Sequence, residues 1–350
     1  MNLDFDLDQS VLLKPSTILM LGTLALLALS SYVPGWKGIS VILASLLAFI
    51  LGEIAGEWRF RPQMKVSSAK LHYFGLSLIV VSLFALYLDF FTAGGIPFFT
   101  PAIRRFLSPV LTSLAFLIVP GTVFTIPTLK GHKRAKLYTF LLIFFAAAMM
   151  TLLGYRTEVL AAIIASMLTA YYCGIFKLRD LGFMTLVAFA AFSGITLLRT
   201  GAVANSARAS VTFAAFDFLV AKTPILGLAH GFVQFADFFK LISEIPIYGG
   251  RVLASNLIGA RVGVSITSTL YGPPYIDFGI FGMLMFFLFG FVLGAGHKAA
   301  FSKKGVYAAS HSLLLTFLLL GIETGITDLI VWTYFIFISV FYLLAHNYEA

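Results

Sequence analysis

Apolar runs separated by short polar breaks make up most of the 350 residues. A membrane-crossing helix needs about 20 such residues. Runs of this kind lie near 16–32, 37–56, 72–92, 108–127, 136–153, 157–175, 181–199, 276–297, 306–324 and 328–346. The pattern predicts an all-α polytopic membrane protein of about 10 transmembrane helices. The breaks carry turn chemistry: Pro34-Gly35, Gly94-Gly95-Ile96-Pro97, Gly131 and Gly154. One long stretch, 199–276, is neither a span nor a short connector. Within it Val211–Ala221 and Ala229–Ser243 predict short helices. In the second, Gln234, Asp237 and Lys240 recur every third residue and Phe232, Phe235, Phe238 and Phe239 fill the other face. A helix lying in the headgroup region and a partly buried re-entrant segment both fit that pattern. With no internal repeat or low-complexity tract, the expectation is one membrane domain over 1–350, with 199–276 a large extracytoplasmic loop carrying much of the active site.

Composition narrows the class. Hydrophobic residues are 60% of the chain and charged residues 11%, with a mean hydropathy of +0.97, outside the usual range of a soluble domain. Thirty-seven phenylalanines suit lipid-facing helices better than a barrel, whose strands would alternate apolar and polar. The single cysteine, Cys173, excludes a disulfide framework and a cysteine metal site. The acidic start MNLDFDLDQS and the lack of a small-residue cleavage site predict that the first helix is retained.

The net charge of +9 resolves into topology once the bases are assigned to loops. Thirteen Lys and Arg residues fall in even-numbered loops, which the positive-inside rule places in the cytoplasm. Ten fall in odd-numbered loops, six of them in the one long loop that the rule reads poorly. Both termini are then expected in the cytoplasm, in an integral cytoplasmic (plasma) membrane protein. Nine of the thirteen inner bases are Lys, whereas seven of the ten outer ones are Arg. Lysine is a hydrated point charge, while the planar guanidinium donates paired hydrogen bonds to phosphate oxygens. The outer face thus reads as built for phosphate.

Candidate chemistry follows from those arginines. Arg156, in LLGYRTEVLAA, sits in a turn between two apolar helices, where a cation needs an anion. Glu158, a lipid headgroup or a substrate phosphate would each serve. Arg251 and Arg261 bracket RVLASNLIGAR, and two or three such arginines can hold a diphosphate at roughly 1.5–3 kcal/mol per charge-assisted hydrogen bond. Arg199, Arg208 and Arg105 extend the same outer basic set, with Tyr271, Tyr275 and Asp277 of STLYGPPYIDFG as further substrate-binding candidates. His230 can take a proton from a sugar hydroxyl, but so can Glu158, Glu244, Asp277, Glu323 or Asp328, and the pattern does not choose among them. Asp4, Asp6 and Asp8 form a D-x-D-x-D pattern, read as an acidic tail on the opposite side. No metal, nucleotide or other cofactor is expected, for want of any H-x-x-H, CxxC, Walker or GxGxxG arrangement in a suitable context.

LLGYRTEVL, GVSITSTLYGPPYIDFGIFGMLMFFLFGFVLG and FTAGGIPFFTPAIRRF together resemble the oligosaccharide repeat-unit polymerases, the Wzy-type O-antigen polymerase family, whose pattern the O-antigen ligases share. The likeness in architecture covers nearly the full length. It implies a GT-C-type membrane glycosyltransferase that joins polyprenyl-diphosphate-linked oligosaccharides on the outer face, with a chain-length regulator as a further partner and no nucleic acid. A ligase for another acceptor, or a flippase or transporter of lipid-linked glycan, is the alternative. Charges gathered at one face rather than within spans favour the enzyme. The family's functional arginines carry over to Arg156, Arg251 and Arg261, and Arg261 with Gly272 fits an R-x10-G spacing. The H-x9-G pattern does not follow His230, since Lys240 stands ten residues on. The catalytic set expected is therefore Arg156, Arg261, Glu158 and His230.

Overall fold

A computed structural model describes residues 13–60, 64–183, 186, 205–225, 227–242, 250–259 and 266–346. Among them the secondary structure is helical throughout, with no strand. In chain order the helices are α1 (Pro15–Leu29), α2 (Trp36–Arg59), α3 (Ser68–Ala93), α4 (Pro109–Ala115), α5 (Ile118–Thr125), α6 (Ala135–Leu153), α7 (Arg156–Tyr172), α8 (Asn205–Lys222), α9 (Ala236–Ile242), α10 (Gly250–Leu257), α11 (Gly272–Phe278), α12 (Met283–Lys303), α13 (Val306–Thr324) and α14 (Leu329–His346).

Seven helical stretches among the described residues are long and apolar enough to cross a membrane: α2, α3, Pro109–Leu129, α6, Gly272–Lys303, α13 and α14. Two further expected spans are shorter helices, α1 with 15 residues and α7 with 17. The run at 181–199 lies largely outside the described residues. The fold is that of an all-α polytopic integral membrane protein. Pro109–Leu129 is assembled from α4, α5 and a 3-10 turn at Ile126–Leu129. Its break has a local cause. Pro120 has no N–H to give to the Phe116 carbonyl, which accepts instead from Val119 at 3.1 Å.

The chain divides into two compact units: Met1–Arg61, Ala204–His297 and Phe317–Leu344 form the first, and Pro62–Val203, Lys298–Thr316 and Ala345–Ala350 the second. In the first, α2 and α12 cross through paired glycines. A Cβ on Gly52 or Gly56 would overlap the carbonyl oxygen of Phe287 or Phe291, and a Cβ on Gly290 or Gly294 that of Phe49 or Glu53. Both helices therefore present a G-x-x-x-G face, the small-residue packing that lets helices in lipid gain dispersion contacts without a hydrophobic driving force. The Glu53 carboxylate, buried beside this seam, accepts the Ser16 N–H at 3.0 Å and satisfies an amide at the start of α1. In the second unit Gly121 of α5 lies against α3, where a Cβ would come within 3.0 Å of the Gly75 carbonyl oxygen.

The described part of the long loop belongs to the first unit. α8 is longer than expected and buries Ala209, Thr212, Phe213, Phe216, Leu219 and Val220, at the i, i+3, i+4, i+7 spacing of an amphipathic helix. The expected helix over 229–243 begins only at Ala236. Residues 231–235 are turns, so the 3.6-residue period does not apply there. Gln234 accordingly points inward, fully buried and donating to the Ile326 carbonyl, while Phe232 is half exposed.

The glycine crossing carries a prediction. Gly52→Leu or Gly290→Leu should force α2 and α12 apart and cost about 3 kcal/mol or more. The expected result is a large fall in the detergent-extracted protein's melting temperature, read by fluorescence-detected size exclusion, with Gly182→Leu, which has open space at its Cβ position, as the unaffected control.

Candidate functional site

Within the second unit, one end of α6 and the start of α7 meet the loop that follows α3. Gly94 closes α3 in the left-handed conformation, at φ +76°, and Asp89, fully buried one turn earlier, fixes the far side of the loop. Its two carboxylate oxygens accept from the Ser108 N–H at 2.8 Å and the Thr112 hydroxyl at 2.6 Å. On the near side the Phe98 N–H donates to the Leu152 carbonyl at 3.1 Å. Between these ties the 3-10 turn Pro101–Phe106 presents two consecutive arginines.

They point different ways. Arg105 is exposed, whereas Arg104 is half-buried and lies over the Tyr155 ring, 4.9 Å from its centroid. Tyr155 is held edge-on by Phe116, with ring centroids 5.4 Å apart. Gly154 ends α6 at φ +73°, and a Cβ there would stand 2.7 Å from Nη2 of Arg104. The glycine thus supplies both the left-handed turn and the room for the guanidinium. That Nη2 is buried and has no hydrogen-bond acceptor among the described residues. Burial lowers the Arg104 pKa, and the nearby Arg156 charge lowers it further, against an opposing contribution from Tyr155. The guanidinium nonetheless remains cationic at physiological pH. Arg156 is half-buried at the first position of α7, and Glu158, in the same first turn, is buried, where a carboxylate is favoured by the helix N-terminus.

Chemically, this is a place for an anion. Two guanidiniums at the rim of an apolar bundle, one with a buried N–H lacking an acceptor, present the donor geometry that phosphate oxygens satisfy. The expectation put Arg105 in this role and did not single out Arg104. The signal that distinguishes them is the tertiary fit against Gly154 and Tyr155, which an Arg-Arg pair in sequence does not reveal.

The other expected residues occupy the first unit or lie outside the described residues, as Arg199 and Arg261 do. Arg208 pairs with Glu323, and Arg251 with Asp328. His230 is exposed, in the left-handed region at φ +47°, and its N–H donates to the Asp277 carbonyl at 3.1 Å. The Asp277 side chain is fully buried and accepts from the Val233 N–H at 3.0 Å and the Gln234 N–H at 2.6 Å. It latches the 231–235 turns onto α11. Tyr271 is sealed in the core, its hydroxyl 2.6 Å from that of Thr23 and its ring stacked on Phe286. Tyr275 is half-buried on α11. Near them Tyr32, in the α1–α2 connection, donates to Asp217 of α8 at 2.8 Å, a bond that raises the tyrosine pKa.

A helical bundle with seven stretches long and apolar enough to cross a membrane, and an arginine pair beside one helix–turn–helix, defines the class as an integral membrane protein. The chain belongs to the O-antigen polymerase family: a family model described as "Putative O-antigen polymerase" matches residues 11–335. It is also 28% identical over 310 residues to an uncharacterised protein of Methanocaldococcus jannaschii, a match that covers 85% of each chain. No solved structure shows a significant match.

Two substitutions test the local architecture. Gly154→Ala should introduce about 1–2 kcal/mol of backbone strain and displace the Arg104 guanidinium. We expect a modest fall in melting temperature but a disproportionate loss of transfer activity, checked by measuring both on one preparation. Asp277→Asn keeps the volume but sets an amide NH2 against one of the two backbone N–H groups, costing about 1–3 kcal/mol. Limited proteolysis should then cut the 227–259 region several-fold faster than in the wild type, with the second unit's cleavage pattern unchanged.

Proposed function

We propose that the protein is a membrane glycosyltransferase that polymerises polyprenyl-diphosphate-linked oligosaccharide repeat units on the outer face of the cytoplasmic membrane, with both termini in the cytoplasm. The observation that carries this reading is the buried Nη2 of Arg104 beside Arg156, an arginine pair lacking one acceptor at the rim of an apolar bundle. Membership of the O-antigen polymerase family supports it.

In this reading an acceptor sugar hydroxyl attacks the anomeric carbon of the donor glycan. The bond from that carbon to the diphosphate oxygen breaks, and the electron pair leaves with the polyprenyl diphosphate. The hydroxyl proton passes to a general base, for which Glu158, in the first turn of α7, is the candidate within the same unit. A diphosphate is already a good leaving group. The enzyme's contribution is then to orient two lipid-linked substrates and to stabilise developing negative charge with fixed cations. Arg104 and Arg156 supply those cations from a site where water is scarce and the Coulomb interaction correspondingly strong. Arg261, from the long loop, is proposed as a third.

Reconstitution of the purified protein with a polyprenyl-diphosphate oligosaccharide should give a product ladder spaced by one repeat unit. Arg104→Ala and Arg261→Ala should abolish the ladder with protein level and membrane insertion intact. Arg156→Lys, which keeps charge but removes the planar fork, should slow it by about tenfold or more. A wild-type ladder from Arg104→Ala would overturn the site. A single transfer to a different acceptor, in place of a ladder, would reassign the protein as a ligase.

A further inference from the structure

The opposite end of α6 carries a second cluster of cations that the glycosyl-transfer reading does not use. Around the α5–α6 connection a cavity of about 440 Å³ is lined by Lys130, His132, Lys133, Arg134 and Lys136, with Gly174 and Ile175 completing the wall. No acidic side chain is among the residues that line it. Lys136 reaches outward to Asp180 at 2.8 Å, a contact that holds the Asp180 carboxyl below its ordinary range. Lys130, Lys133 and Arg134 are exposed. Arg134 is the N-cap of the 19-residue α6 and gives it no side-chain cap, so first-turn N–H groups add their partial positive charge to the same place.

Two features specify the ligand beyond "anion". A second cleft of about 330 Å³, lined by Ser68, His72, Tyr73, Thr128 and His132, shares His132 with the first and offers hydroxyl and imidazole groups. Its geometry is set, with His72 Nδ1 2.9 Å from the Thr128 hydroxyl. From the mouth of the basic cavity, Leu137, Leu141 and Phe144 form an exposed apolar stripe along α6, at 50%, 56% and 74% exposure. Their i, i+4, i+7 spacing puts them on one helix face. Polar headgroup, phosphate and acyl chain, in the order a phospholipid joins them, would meet the second cleft, the basic cavity and the stripe. A soluble anion would use only the basic cavity.

We propose that these adjoining clefts bind the headgroup of an anionic phospholipid, with its phosphate among Lys130, Lys133 and Arg134, its hydroxyl-bearing headgroup against His132, Ser68 and Thr128, and an acyl chain along Leu137, Leu141 and Phe144. The site is distinct from the arginine pair at the other end. Nineteen residues of helix separate the two by roughly 28 Å, and the inner leaflet, to which the positive-inside rule assigns these bases, is where a polybasic recess meets anionic lipid.

The test uses the full-length protein in detergent, with phosphatidylglycerol or phosphatidylcholine titrated in and retained lipid counted by native mass spectrometry. Wild type should retain phosphatidylglycerol at least about tenfold better than phosphatidylcholine. Lys130→Gln/Lys133→Gln/Arg134→Gln should lose that preference, as should the single reversal Lys133→Glu if the triple variant folds poorly. Lys298→Gln/Lys303→Gln/Lys304→Gln, with the same charge removed elsewhere in the second unit, should keep it. No preference in wild type, or equal loss in the control variant, would overturn the proposal. Displacement of the lipid by millimolar inorganic phosphate would overturn it in favour of a free-phosphate site.

Discussion

The Arg104 guanidinium lies over the Tyr155 ring and against the bare backbone of Gly154, with one buried N–H lacking an acceptor among the described residues. Much of this end of the second unit can be understood as what holds this cation in place. Moving a charge toward hydrocarbon costs on the order of 2.5–3.5 kcal/mol even on the gentler insertion scales. An aromatic face returns part of that, about 0.5–2 kcal/mol. The remainder falls on the scaffold: Asp89 gripping Ser108 and Thr112, Phe98 bonded to Leu152, and a left-handed glycine that no other residue replaces without strain.

Arginine count is therefore a poor guide to anion binding, and the first unit shows why. Arg208 and Arg251 face Glu323 and Asp328, and each guanidinium so paired has already spent donors on a carboxylate. These pairs are half-exposed, so their worth to stability is modest. Their value is geometric: Arg251 joins α10 to the start of α14, and Arg208 joins α8 to the end of α13. Arg251 nonetheless keeps a buried Nε with no acceptor among the described residues, as Arg104 keeps its Nη2, so a phosphate at Arg251 would compete with Asp328 for the rest of the fork.

The helical architecture was legible in the sequence because hydrocarbon admits few backbone solutions, and runs of about 20 apolar residues announce them directly. The segmentation of Pro109–Leu129 was legible in principle, since Pro120 and Pro127 both lack the N–H an unbroken helix needs. Less could be read in the long loop. Periodicity assumes a helix, and where 231–235 turn instead, Gln234 goes inward and Phe232 outward. Asp277 and Tyr271 illustrate the same limit. Both have the chemistry of a site, yet one caps backbone N–H groups and the other bonds Thr23 across 248 positions of sequence. The choice of Arg104 over Arg105 depends on a 4.9 Å contact to a ring some fifty residues away, which adjacency in sequence cannot encode.

The two ends of α6 show how one physical distinction sorts the cations of the chain. At the Gly154 end the cations are arginines, Arg104 and Arg156 half-buried and Arg105 exposed, with Arg104 set against an aromatic ring and Glu158 buried in the first turn of α7. At the Ala135 end they are mostly lysines, exposed and clustered around an open recess. A delocalised guanidinium loses less on partial desolvation and keeps its fork orientation, so it suits a site where an anion must be held in one geometry. An ammonium on a flexible stem is strongly hydrated and tolerates many geometries, so it suits a surface that gathers charge without orienting it.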